Sequence, residues 1–410
     1  MIRRRTGSGW LIIFICAVAG PWVTLCAGRA EIAGDRKDSR GAAIADAPRK
    51  RLREIGIVIG RMAPGPNNAI TDVQGVRVGQ VTLVRGEGKL VPGRGPVRTG
   101  VTAILPHGGD LWRDKVPAAT WVLNGTGEMT GSIWIDTQGA LEVPVLLTNT
   151  MNIGRVMDGV VAYMLRRYPE IGISDDVVAP TVAECDDSTL NDARGLHVSA
   201  EDTVRAIESA GPGPVAEGAV GAGTGMMSYQ FKGGIGTASR VLPKEDGGFT
   251  VGVLVNANMG RRADLSVDGV PVGREIPERM PKESVDGSII IVVATDAPLL
   301  PHQLKRIAKR AALGVGRMGG LAANSSGDIF IAFSTANPHA SRDTGLAQVV
   351  MAPDGRITPL FEATVQATEE AIVNAMLAAD TMTGADDLTV YALPHDRLRE
   401  VLRKYNRLNP

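Results

Sequence analysis

Apolar residues fall along this chain in two distinct patterns. In Thr250–Val255, Ser288–Ala294 and Asp328–Phe333, Val, Ile and Phe run on without polar alternation. That is the signature of strands covered on both faces. Val101–Leu105 and Val145–Leu147 are shorter runs of the same kind, bounded by Gly or Pro. Elsewhere the period lengthens to that of a helix. Ile153, Val156, Met157, Val160, Val161, Met164 and Leu165 make one stripe across Asn152–Tyr168. In Pro301–Val315 the residues Leu304, Ile307, Ala308, Ala311, Ala312 and Val315 share a face, opposite Lys305, Arg306, Lys309 and Arg310. Glu201–Ala210 and Thr364–Met382 are further predicted helices. Strands hidden on both faces need helices to hide them, so the pattern predicts a layered α/β domain. The Gly- and charge-rich stretch from Gly260 to Gly287 predicts an exposed excursion from it.

The first residues follow a different logic. Arg3-Arg4-Arg5 precedes an apolar stretch from Trp10 to Leu25, and Ala27, Gly28 and Ala30 follow. This is the charged, apolar, small-residue order of a secretory signal. Gly20 and Pro21 interrupt the apolar run, leaving it short for a membrane span of about 20 residues. The expectation is therefore a signal over residues 1–30, no stable membrane anchor, and a periplasmic or secreted protein. Polar residues 31–54 read as a mobile leader, and residues 55–410 as a single domain. Loss of the signal removes four arginines, leaving 40 basic against 44 acidic residues. With no basic excess and no Cys/His array, nucleic acid is excluded as a partner. Cys16 and Cys26 leave with the signal, so Cys185 remains alone and a disulfide scaffold is excluded.

Candidate chemistry sits where polar clusters meet the buried runs. Ser288 follows Gly287 and opens a β-branched run. Cleavage of the Gly287–Ser288 bond would give an N-terminal serine carrying both a hydroxyl nucleophile and an α-amine base; ordinary turn punctuation is the plainer alternative. Four acidic groups, Glu184, Asp186, Asp187 and Asp192, lie within nine residues. They lack the ligand order of an EF-hand, and suit either a solvated loop or recognition of a substrate ammonium. Asn256 and Asn258 end a strand, where an amide can face an oxyanion or simply favour a turn. Ser326 and Asp328 stand at the mouth of another buried run, and Leu123–Gly131, which contains Asn124, is a Gly-rich turn or a pocket-lining loop.

Taken in order, Val122–Gly131, Leu147–Thr150, Val253–Asn258, Gly287–Pro298 and Ser326–Phe330 resemble the L-aminopeptidase D-amidase/D-esterase and β-peptidyl aminopeptidase family of self-processing serine peptidases. The resemblance runs from about residue 55 to 400. It implies an αββα sandwich like that of N-terminal-nucleophile hydrolases, with different strand connectivity. It implies self-cleavage between Gly287 and Ser288 into α and β chains, and assembly into a homotetramer of αβ units. Ser288 is then the nucleophile, Ser326 and Asp328 its supporting hydroxyl and acid, and Asn258 the oxyanion-side amide. Glu184 receives the substrate's free amino group, with Asn124 beside it as a substrate-binding residue. No metal or cofactor is implied; the partner is a short peptide or amino-acid amide, with acceptance of β-peptides left open by the sequence. Asp186 stands where some members have an aromatic residue, and Gly287 where several have Asn. Two other readings are an acyltransferase similar to ornithine acetyltransferase, whose nucleophile is Thr rather than Ser, and a non-catalytic periplasmic binding protein.

Overall fold

Each long apolar run of the sequence becomes a strand at the centre of a layer. The structure, a computed structural model, describes residues 49–281, 287–337, 339–342 and 345–408. The signal expected over residues 1–30, and the leader as far as residue 48, lie outside the described residues. In chain order the strands are β1 (Arg77–Arg85), β2 (Val97–Leu105), β3 (Val116–Gly125), β4 (Ala140–Leu141), β5 (Val145–Thr148), β6 (Thr181–Glu184), β7 (Met227–Ser228), β8 (Phe231–Lys232), β9 (Gly234–Val241), β10 (Thr250–Asn258), β11 (Ser288–Thr295) and β12 (Gly327–Ser334). The helices are α1 (Ser132–Gln138), α2 (Ile153–Arg167), α3 (Ala200–Glu208), α4 (Val272–Glu275), α5 (Pro301–Arg317), α6 (Thr358–Leu377) and α7 (His395–Lys404).

Of the two large sheets, one has the order β1-β2-β5-β6 and the other β4-β3-β12-β11-β10-β9, and β7 pairs with β8 apart from them. Helices α5 and α6 cover the outer face of the six-stranded sheet, and α2 and α3 that of the four-stranded one. Between the sheets, Leu254, Ile290, Val292, Ile329 and Ile331 pack in one core with Val101, Ala103 and Leu146. The alternate residues Val253, Val255, Ile291, Val293 and Phe330 face α5 and α6 in a second core. The architecture is the layered α/β domain that the unbroken runs called for, with both faces of each central strand covered, and its layers are the αββα sandwich that the resemblance implied. Among the described residues no helix is long and apolar enough to cross a membrane.

Three expectations need correction. Residues 49–54 are not part of a mobile leader. Arg49 Nε donates to Leu377 O over 2.8 Å, Leu52 is fully buried, and Arg53 pairs with Glu370 at 2.8 Å. The described part of the Gly260–Gly287 stretch, as far as Pro281, is not an exposed excursion either. Leu265, Val267, Val270, Val272 and Ile276 are buried, and Arg262 ties Gln230 O at 2.6 Å to Glu278 O at 2.9 Å. Its glycines and charges serve turns and internal bonds. Finally, the helix expected over Thr364–Met382, α6, runs from Thr358 to Leu377, with Pro359 in its first turn where no N–H is missed, and Met382 lies in a short strand. The helix is buried nearly all round, and Glu370 lies 2.7 Å from a fully buried Arg240.

Candidate active site

Strand register carries the separate polar clusters to one edge of the sandwich. β10 and β11 are antiparallel, which sets Asn258, the last residue of one, opposite Ser288, the first of the other. β11 and β12 are parallel, which sets Asp328 beside Ile289. Gly327 N–H then donates to Ser288 Oγ over 3.0 Å. A Cβ on Gly287 would collide with the carbonyl of Asn258, so the residue before the serine is glycine for want of room.

Ser326 sits between two acceptors. Its Oγ lies 2.5 Å from the Gly287 carbonyl oxygen and 2.7 Å from Asp328 Oδ1. A serine hydroxyl has one proton and can donate to only one of them at a time. Burial pushes the Asp328 carboxyl up to about 6, against the bond from Ser326. When Asp328 is protonated it can donate to Ser326, whose own proton is then free for Gly287 O.

The other sheet delivers Glu184. It is the last residue of β6, beside Thr148 of β5, and is buried. Glu128 N–H donates to Oε1 over 3.0 Å and Thr150 Oγ1 to Oε2. Burial still raises its carboxyl above the ordinary range. Thr150 is placed by its neighbour Asn149, whose Nδ2 bonds Asp187 at 3.0 Å and Thr99 at 2.8 Å. Asp187 is fully buried, which pushes its carboxyl up to about 7. The acidic run thus divides. Glu184 and Asp186 line the cleft, while Asp187 is part of the framework behind them.

Asn258 also lines the cleft. Its Nδ2 donates to Asp186 O over 2.9 Å and its Oδ1 accepts from Met227 N–H over 2.8 Å. One Nδ2 hydrogen remains for the cleft. Asn256, two residues earlier, is wholly enclosed and finds no side-chain partner among the described residues. The cleft, about 1070 Å³, brings together Glu184, Asn258, Gly287 and Ser288 with Thr126, Gly127, Thr150 and Ser325. Ser326 and Asp328 stand just behind Gly287, lining a smaller cavity. Among the described residues no group of His, Cys, Asp and Glu is placed to hold a metal.

Asn124 is placed differently from the others. Its Nδ2 donates to Ala323 O at 2.9 Å and Ser326 O at 2.5 Å, so it braces the turn that carries Ser326. From its segment Thr126 and Gly127 reach the cleft instead. Asn124→Ala should strip both carbonyls of their side-chain donor, leaving Ala323 O to Ser326 N–H and Ser326 O to Thr126 N–H, and cost about 1 kcal/mol. The expected outcome is a lower denaturation midpoint with unchanged selectivity among substrates, checked by chemical denaturation beside a substrate panel. The sequence reading did not single out Thr150 or the cleft-lining Arg194, Leu90 and Pro92. Their only signal was a hydroxyl at a strand end and polar or apolar residues in turns.

Residues 68–390 match peptidase family S58. The chain is 49% identical over 385 residues to the β-peptidyl aminopeptidase BapA of Sphingosinicella microcystinivorans, covering 90% of this chain and 95% of that one. Among solved structures, the L-aminopeptidase D-Ala-esterase/amidase of Ochrobactrum anthropi superimposes with a TM-score of 0.82 at 46% identity, over 88% of this chain and all of that one. That enzyme is described as a prototype serine aminopeptidase with a variant of the Ntn-hydrolase fold. A Burkholderia β-aminopeptidase gives 0.80 at 44% identity, over 87% and 99% of the two chains.

Proposed function

The chain belongs to peptidase family S58, and on that footing we propose that it is an exported, self-processing aminopeptidase whose nucleophile is Ser288. The single observation that carries this reading is the meeting of Ser288, Ser326–Asp328 and a buried Glu184 around one cleft. In the precursor Ser288 Oγ attacks the Gly287 carbonyl carbon while Ser326 steadies the oxygen. The C–N bond breaks, the proton lost by the hydroxyl ends on the Ser288 nitrogen, and water hydrolyses the ester. Gly287 is left as a carboxylate and Ser288 as a free N-terminus. An unperturbed α-amine titrates near 8, so at neutral pH enough of it is free to accept the Oγ proton. In turnover the same hydroxyl attacks the substrate carbonyl, the leaving amine takes the proton, and water releases the acyl group. Asn258, with its unused N–H, faces the oxyanion.

Glu184 selects the substrate's end. A buried carboxylate already held by Thr150 and Glu128 N–H meets an ammonium in a charge-assisted bond. Substrates are therefore short peptides, amino-acid amides and esters with a free amine, β-amino acids included. The β-peptidyl aminopeptidase from Sphingosinicella supports the β-amino-acid part of that range, and the D-Ala-esterase/amidase from Ochrobactrum the amides and esters. The exposed apolar residues Val122, Leu123, Leu313 and Leu321 support assembly of several αβ units, four on the family resemblance. The Arg3–Ala30 pattern supports export. A serine nucleophile and the match to a peptidase family favour hydrolysis over acyl transfer, and set a non-catalytic binding protein aside.

The test compares amino-acid amides with free and N-acetylated amines. Acetylation is expected to lower kcat/KM by about 10²-fold, and Glu184→Gln to raise KM about tenfold or more on the free amine. On the acid side KM should rise first, because burial holds the Glu184 carboxyl above its usual range and protonation removes the anchor. Equal rates on both substrates would overturn the assignment.

A further inference from the structure

Among the described residues, the cleft lining holds three acidic residues and one cation. Glu184, Asp186 and Asp192 supply the acids, and Arg194 the cation. Asp192, two residues before Arg194 in the chain, has its carboxylate otherwise engaged. Its Oδ2 accepts from Gly95 N–H at 3.1 Å and faces His197 Nε2 at 2.9 Å. The Arg194 guanidinium makes no hydrogen bond or ion pair among the described residues. Asp192 N–H donates to Pro96 O at 2.8 Å and Gly195 N–H to Asp192 O at 3.1 Å, which fixes the turn that presents the side chain. Leu90 and Pro92 supply apolar wall to the same cleft. Leu90 N–H is itself tied to Asp386 Oδ1 at 3.0 Å, so that wall is anchored.

We propose that Arg194 is a carboxylate subsite, and that the preferred substrates are short free-acid peptides held at both charged ends. The inference rests on the aminopeptidase reading above and extends it to the leaving side. Glu184 takes the ammonium, Ser288 the carbonyl between, and the released portion carries its C-terminal carboxylate toward the guanidinium. A planar guanidinium offers a carboxylate two parallel N–H donors, which an ammonium does not. Arg194 is exposed, so water and salt screen the pairing and its effect is modest. A zwitterionic peptide of two or three residues satisfies both charges; an amide or anilide satisfies one.

The experiment uses the full processed protein and one dipeptide in two forms, the free acid and its C-terminal amide. The readout is the ratio of their kcat/KM values. Wild type is expected to favour the acid about three- to tenfold at low ionic strength, with the preference shrinking in about 0.5 M salt. Arg194→Met should bring the ratio to about one, and Arg194→Lys should keep part of it. A wild-type ratio near one, or one that Arg194→Met leaves in place, overturns the subsite while the aminopeptidase assignment stands. Failure of wild type to cleave either form overturns both.

Discussion

Ser288→Ala is expected to give one uncut polypeptide on a denaturing gel where the wild type gives two, and to lose amide hydrolysis by about 10⁴-fold or more. Both effects come from one atom. On the proposed reading, the Oγ that Gly327 N–H orients at 3.0 Å is the attacking group for the Gly287 carbonyl, and later for substrate. Without it the chain keeps the Gly287–Ser288 bond, and no α-amine is released to act as base. The variant should fold normally, since Ala fits the first position of β11 and the strand behind it is wholly buried. A wild type that is active while uncut would defeat the proposal, as would a cut Ser288→Ala chain.

Ser326→Ala is expected to slow self-cleavage by about 10²–10³-fold, the usual effect of losing one preorganised donor to a developing oxyanion. The hydroxyl lies 2.5 Å from the very oxygen that becomes negative when Ser288 attacks. Direction with pH follows from the single proton of Ser326. Below about pH 6 Asp328 is protonated and donates to Ser326, so the serine proton stays on Gly287 O. Above about 6 the carboxylate draws that proton to itself and the polarisation weakens. Processing in wild type should therefore slow as pH rises through about 6, with Asp328→Asn flattening the profile. Turnover by the mature enzyme should run the other way, rising as the α-amine deprotonates near 8. Time courses of chain cleavage at a series of pH values decide it: a wild-type rate that climbs through pH 6 would sink the proton relay.

Much of the frame was legible beforehand because a strand buried on both faces must be apolar throughout. That rule picked out the central strands β10, β11 and β12. It missed β9, whose Gly234–Val241 mixes glycines with a buried Arg240 that only its Glu370 partner makes tolerable. It missed β1 and β3 as well, whose ends carry polar residues. Glycine and charge were read as exposure in Gly260–Gly287, although in its described part Arg262 spends its donors on internal carbonyls.

Residue type and chain order by themselves determined the layered α/β class, the Gly287–Ser288 bond as the bond to watch, and a small set of polar residues to bring to it. These are local facts: a hydroxyl before a β-branched run can be read without knowing its neighbours. Tertiary structure alone decided how that set divides. It put Asn258 on the cleft and Asn256 behind it, made Asp187 a support and left Glu184 lining the cleft, turned Asn124 into a brace, and left Arg194 facing the cleft. Those outcomes depend on strand register and on one sheet's edge meeting the other's. Both are settled by contacts between residues far apart in the chain, where spacing along the sequence carries no distance.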